Sequence, residues 1–287
     1  MTRLSAQDVA HIPLSWAEHE RRLTALIQTD LTGLAGSVFG LERAQAADIL
    51  AGQTVAVVPD TSGEGRIEGF TEALVFIARR LGAEAFATIP DLAGFKEAKE
   101  RRATIALTSD DRYFLAMRLS DGFKSENGWA TGVGFAQCLS LMTSGRLAGR
   151  PVLTVGAGPV GQAGAAWLRR LGAKPIIADL SPALAARAAG LVGGRVWRPQ
   201  DGVQPGGFEL IFEASTSGRL WPPESLKPGT KVAAPGMPPS FEPSEHYALW
   251  HDPLQTGTAV MILQAALGRT SATLTAQPPR FPVQLWS

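Results

Sequence analysis

Cysteine is almost missing from this sequence: Cys138 is the only one among 287 residues. No disulfide can close within the chain, and cysteine clusters of the kind that hold zinc or iron are excluded. Histidine is scarce as well, and His11, His19, His246 and His251 are too scattered for a metal-ligand spacing such as HExxH. An excess of one charge is also absent. With 27 basic and 26 acidic residues the formal net charge is +1, which leaves no electrostatic footprint for nucleic acid or an anionic membrane. The tryptophans beyond the first helix show no spacing of a base-stacking platform. No uninterrupted apolar run reaches the roughly 18 residues of a membrane span. The opening MTRLSAQD lacks the apolar core of a signal peptide. The expected partner is therefore a small molecule rather than nucleic acid or membrane. The expected compartment is cytoplasmic, and a homodimer is left open.

Hydrophobic residues make up 45% and charged residues 18%, a globular composition. Single cores stop growing near roughly 250–300 residues, so two lobes are expected. Residues 1–50 read as a helical segment, with Ser5 and Asp8 forming a capping pattern ahead of a loose apolar stripe. Residues 51–130 alternate strand and helix. Strands are expected at Gln53–Val58, Ala85–Ile89 and Thr104–Thr108, and helices at Phe70–Leu81 and Ala93–Arg101. This alternation predicts a small parallel α/β lobe. Residues 131–287 read as a Rossmann lobe with a linking helix at Thr131–Leu147. Strands follow at Pro151–Val155, Pro175–Ala178, Leu210–Glu213 and Lys231–Ala234, then a closing helix at Thr258–Leu267. The remaining residues, 270–287, are expected to lie on the surface as a tail. The fold class is α/β, with ligands expected beyond the carboxyl ends of the strands.

The sequence PVLTVGAGPVG carries the clearest chemistry. Gly156, Gly158 and Gly161 follow a strand and open a helix, with Pro159 and Val160 between them. The first glycine allows a tight turn, the second lets backbone approach a pyrophosphate, and the third lets helix and strand pack closely. Open N–H groups and the helix dipole then favour phosphate. Asp179 ends the next strand, where a carboxylate binds ribose hydroxyls and repels a 2′-phosphate. The expected cofactor is NAD. The bland alternative is a glycine-rich turn with Asp179 capping a helix. Ala214, Ser215, Pro235 and Gly236 follow later strands of the same lobe and should border the cofactor.

Several separated motifs resemble the pyrrolysine synthase family of dehydrogenases. They are VVPDTSGEGRIEGFTEAL from Val57, SDDRYFLAMRL from Ser109 with Lys124, Asn127 and Thr131-Gly132 after it, and the glycine loop. IFEAS from Ile211, APGMP from Ala234 and DPLQTGTAVM from Asp252 complete the set. The resemblance implies NAD-dependent oxidation of the terminal amine of lysine-Nε-3-methyl-D-ornithine. The α-amine of the same unit would then close a pyrroline ring with loss of ammonia. The sequence departs from the family where Asp252 stands in place of an expected glutamate and around Gln255-Thr256. Two readings compete: another two-lobed Rossmann dehydrogenase acting on an amino acid, folate or shikimate-like substrate, and a non-catalytic NAD sensor. A lysine at a strand end would favour the first, but Lys96, Lys99 and Lys124 are not expected there. A sensor would not need polar strand ends in both lobes.

With that chemistry in view, Asp110 and Asp111 are candidates to hold the substrate's ammonium groups, one of them also taking a proton. The alternative is a helix N-cap, since SDDRYF reads as a strand leading into a helix. Thr61 and Ser62 could bind a carboxylate in a glycine-rich turn. Tyr113 and Phe114 could line a pocket, although aromatics there are more often core. Lys124, in an expected loop, could meet a substrate carboxylate or stay solvated. Asp252 is either part of the catalytic set or a charge at a helix start. Leu4 contacts substrate only if the first helix folds over the site. His251 beside Asp252 is not expected to form an acid–base pair, and Cys138 is read as core.

Overall fold

Ser5 starts the first helix, α1 (Ala6–Ile27): its Oγ accepts the Asp8 N–H at 3.2 Å, and the Asp8 carboxylate accepts the Ser5 N–H at 2.9 Å. Val9, Ile12, Trp16, His19, Leu23 and Ile27 form its buried stripe, the 3–4 spacing of an amphipathic helix. Two short helices follow, α2 (Leu31–Val38) and α3 (Arg43–Ala51). This is a computed structural model that describes residues 4–63, 65–198, 205–218 and 221–268. The expected tail at 270–287 lies outside the described residues.

The first sheet contains β1 (Thr54–Val58), β2 (Glu84–Ala87), β3 (Ile105–Thr108), β4 (Leu115–Arg118) and β5 (Lys124–Glu126), in the order β2-β1-β3-β4-β5. The helices α4 (Phe70–Arg80) and α5 (Asp91–Glu100) connect its parallel strands. The lobe is not wholly parallel, because β4 and β5 form an antiparallel hairpin at its edge. SDDRYF does not lead into a helix. Asp110 Oδ1 accepts the N–H groups of Arg112 and Tyr113 at 2.8 and 3.0 Å, as a cap would, but the chain turns back into β4. Lys124 therefore begins a strand rather than lying in a loop.

The second sheet holds β6 (Pro151–Val155), β7 (Lys174–Ala178), β8 (Arg195–Val196), β9 (Leu210–Glu213), β10 (Thr230–Ala233) and β11 (Tyr247–Trp250). Its order, β11-β10-β9-β6-β7-β8, and its parallel pairings make the doubly wound dinucleotide topology. Strand order reverses between β6 and β9, which opens a crevice at their carboxyl ends. The run YALW of β11 is a strand that the sequence reading did not anticipate.

Four more helices complete the described fold: α6 (Asn127–Met142), α7 (Pro159–Arg170), α8 (Pro182–Val192) and α9 (Gln255–Leu267). The boundary expected at 130 falls within α6. That helix lies on α7 through Gly132, where a Cβ would stand 2.5 Å from Val160 O. Helix α9 starts at Gln255, ahead of its expected start, because Thr256 and Gly257 are buried and helical. It is buried almost all round and packs on α2, α3, α4, α6 and the β4–β5 hairpin. A buried Ser125–Gln264 hydrogen bond ties β5 to it. One apolar cluster runs from α1 through the first sheet to α9, so the lobes share a core.

Candidate active site

Both polar strand ends of the first lobe meet in one knot. Asp60 Oδ1 accepts the N–H groups of Ser62 and Gly63 at 2.8 and 2.9 Å, which closes the turn after β1. Asp110 Oδ2 accepts the Gly65 N–H at 3.0 Å, and the Asp111 N–H donates to Gly65 O at 2.9 Å. A Cβ on Gly63 or Gly65 would sit 1.8 or 2.4 Å from an Asp110 oxygen, so only glycine admits this approach. Asp110 is fully buried. Each of its oxygens is engaged by backbone N–H groups, and the carboxylate joins the two loops. Asp111 is half-buried beside it.

Thr61 and Ser62 are exposed on this knot. Thr61 gives its N–H and hydroxyl to Asp91, and these bonds hold the Asp91 carboxyl below the usual carboxylate value. Tyr113 is exposed, whereas Phe114 is core and packs edge-on to Phe70 with centroids 5.3 Å apart. Leu4 is buried in the main apolar cluster. Lys124 is exposed and level with Met117, which pairs with Ala106 of β3, so its backbone stops short of the carboxyl end where the others gather. Of the pair at that end, Glu126 faces Leu115.

Three helix starts converge beside the knot. The Asn127 N–H donates to Phe114 O at 3.1 Å, which ties the start of α6 to the Asp110 turn. A Cβ on Gly128 would lie 3.2 Å from Pro159, the first residue of α7. A Cβ on Gly257 would lie 2.2 Å from Thr131 Oγ1 and 3.1 Å from Asn127 Oδ1, so α9 starts at the same place.

The glycine loop has the shape a dinucleotide requires. Gly156 has φ +92°, and a Cβ there would stand 2.6 Å from Ala214 O. Gly161 lies so close that a Cβ would meet Gly156 O at 1.8 Å. Gly158 caps α7, and a Cβ on it would meet no atom within 4 Å. That open side is where a pyrophosphate would rest against the helix N-terminus. Pro159 opens the helix at a position whose N–H would be unpaired in any case, and Val160 packs against α6. Asp179 accepts the Ala157 N–H at 2.7 Å and the Ser181 N–H at 2.8 Å. A carboxylate has about four acceptor positions, so it can brace the loop and still meet a ribose.

Sequence reasoning missed two buried groups. His19 Nε2 lies 3.4 Å from Asp252 Oδ2, with the His19 ring between Trp16 and Trp250. Asp252 is not a surface charge. It also accepts the N–H groups of Leu254 and Thr256, each at 3.1 Å, and the Thr256 hydroxyl. Burial pushes its carboxyl up, but His19 and Thr256 outweigh that and hold it below the usual carboxylate value. His251 points elsewhere, with Nδ1 2.7 Å from Ala234 O. The signal for His19 was its place in the apolar stripe of α1.

The second group is Glu213, at the end of β9 in the crevice. It is fully buried, its Oε1 accepts the Ser215 N–H at 2.8 Å and the Ser215 hydroxyl, and its Oε2 has no well-formed hydrogen bond, with the Ser240 hydroxyl beside the carboxylate. Burial raises its pKa to about 7, against the lowering effect of the serine bonds. Ala214 and Ser215 border Gly156, and Gly236 lies over Glu213, so these expected cofactor neighbours adjoin the glycine loop. Pro235, on the same segment, is half-buried.

Residues 9–125 match the family described as "Pyrrolysine biosynthesis protein PylD, N-terminal domain". The chain is 30% identical over 267 residues to the pyrrolysine synthase of Methanosarcina acetivorans, covering 91% of this chain and 98% of that protein. The pyrrolysine synthase of Methanosarcina barkeri is also 30% identical, with 91% and 97% covered. The chain belongs to the pyrrolysine synthase family. Its two-lobed fold is similar to ligand-free 5-ketofructose reductase of Gluconobacter sp. strain CHM43, with a TM-score of 0.53 at 20% identity, covering 76% of this chain and 94% of that one. Family membership spans both lobes, so the knot at Asp110 and the glycine loop belong to one enzyme. No described helix is long and apolar enough to cross a membrane.

Proposed function

We propose that this chain is an NAD-dependent amine dehydrogenase that oxidises the terminal amine of lysine-Nε-3-methyl-D-ornithine. Ring closure through the α-amine of that unit, with loss of ammonia, gives pyrrolysine. The observation that carries this reading is the similarity to pyrrolysine synthases along nearly the whole of both chains. The glycine cradle at Gly158 and the brace from Asp179 support the choice of cofactor.

Bound NAD supplies the hydride acceptor. Gly156, Gly158 and Gly161 give its pyrophosphate room against the start of α7, and Asp179 meets the adenosine ribose. Ala214, Ser215, Pro235 and Gly236 border its far end. Asp111, Thr61 and Ser62 contact the polar groups of the substrate at the mouth of the knot, with Lys124 and Tyr113 nearer its rim. Asp110 acts through the loops it fastens, and Leu4 and Phe114 act through packing. Asp252, saturated with hydrogen bonds, positions the start of α9 rather than taking a proton. The substrate amine must be neutral as hydride leaves, and the Arg66 guanidinium, bonded to Thr61 O at 2.7 Å, disfavours a second positive charge beside it.

The test is spectrophotometric. Adding the isopeptide to protein and NAD should raise NADH absorbance, and NADP should support far less. Equal rates with both cofactors would contradict the role given to Asp179.

A further inference from the structure

Glu213 has a position that its helix and sheet neighbours do not explain. Its Oε1 fastens Ser215, whose backbone N would lie 3.0 Å from a Cβ on Gly156. Its Oε2 would lie 2.5 Å from a Cβ on Gly236 and is buried without a well-formed hydrogen bond. The buried Ser240 hydroxyl, from the segment that follows Gly236, stands beside this carboxylate and favours its charged form, without a well-formed hydrogen bond to it. The side chain thus stands between the loops after β9 and β10, next to the glycine loop after β6. Those loops frame the crevice where strand order reverses.

We propose that Glu213 is a proton-dependent positioning residue for NAD: neutral, it sets the spacing of the loops after β9 and β10 around the cofactor, and when charged it loosens them. This rests on the NAD reading above. A charged carboxylate buried here is costly: the bonds from Ser215 and the nearby Ser240 hydroxyl do not offset its burial, and further donors must come from water or a shifted loop. The ordinary acid range does not apply here, because burial moves the group to about 7.

Other ionisable groups do not substitute for it. Among the described residues, the elements packed on β9 carry Arg150 just before β6, Lys231 on β10, and Arg169 and Arg170 at the end of α7. All lie toward the amino ends of the strands. Arg150 is paired there with Glu209. Cys138 on α6 is kept neutral by burial. His251, beyond β11, bonds Ala234 O, and burial lowers its pKa so that it too is neutral near pH 7.

Calorimetry of NAD binding to wild type and Glu213→Gln at about pH 6 and about pH 8 tests this. For a group titrating near 7 that must be protonated for binding, wild-type Kd should rise about tenfold across that range. Glu213→Gln should bind with a Kd that is flat in pH. At neutral pH, NAD binding to wild type should also take up protons, seen as a dependence of binding heat on buffer ionisation heat. This readout needs no variant and holds if Glu213→Gln does not fold. A tight wild-type Kd that is flat in pH, without proton uptake, overturns the proposal and leaves the cofactor reading intact. The same pH dependence in Glu213→Gln as in wild type overturns it too. Absence of NAD binding at any pH in wild type overturns the cofactor reading, and this proposal with it.

Discussion

Gly158 and Gly161 separate two effects that a glycine motif usually mixes. A methyl at 161 would press on Gly156 O, whereas a methyl at 158 would meet only what lies outside the protein. Gly161→Ala should therefore lower both thermal stability and NAD affinity. Gly158→Ala should leave the melting temperature alone and weaken NAD binding tenfold or more, about 1.4 kcal/mol. An unchanged NAD affinity in Gly158→Ala would sink the pyrophosphate placement. Glu213 links stability to pH. Its folded pKa of about 7 lies above its ordinary 4.5, so the folded state holds the proton more tightly than the unfolded one. Its contribution is complete below about pH 4.5 and is lost as pH rises through 7, a fall of about 3 kcal/mol. Glu213→Gln should remove that slope, melting close to wild type at acid pH and above it at pH values beyond 7. The glycine loop was legible in the sequence because its geometry is local to a few residues. Glu213 was not, since its significance comes from Gly236 and Ser240, which reach it only through the sheet.

Among the elements, α1 and α9 are joined by side chains far apart in sequence. His19 and Asp252 form a buried pair that fixes the start of α9 against the first helix. Removing one member of a buried pair costs about 3 kcal/mol. His19→Ala and Asp252→Asn should each destabilise on that scale, and the double variant should cost less than the two together. Additive losses in urea unfolding would mean the pair is not coupled. Because the Asp252 carboxyl lies below 3.8 in the fold, its contribution is full above that value and is lost on stronger acidification. Parallel strands such as β1 and β6 were legible from short β-branched runs bounded by glycine, proline and aspartate, whereas β11, YALW, carries no β-branched residue and was not. The β4–β5 hairpin was not. Asp110 supplies the same hydrogen bonds a helix cap would, and only the pairing of Leu115–Arg118 with β3 decides the direction. Helix α9 was read short because a helix buried on every side carries no polar face to mark its start.

At the scale of the whole molecule, two sheets direct polar loops into one region, and α6, α7 and α9 begin there. The first lobe contributes the knot around Asp110, and the second contributes the crevice between β6 and β9. The two-sheet α/β fold followed from composition and motifs. The shared core through α9 did not, because it depends on how the lobes pack. Asp179→Ala should loosen the glycine loop at Ala157 and raise the NAD Kd. Wild-type NAD affinity in that variant would remove the ribose assignment. The oxidation itself is read most directly by product mass. With NAD and lysine-Nε-3-methyl-D-ornithine, a product lighter than the substrate by ammonia and two hydrogens should form in step with NADH. Recovery of the isopeptide at unchanged mass, with NAD bound and no NADH formed, would contradict it.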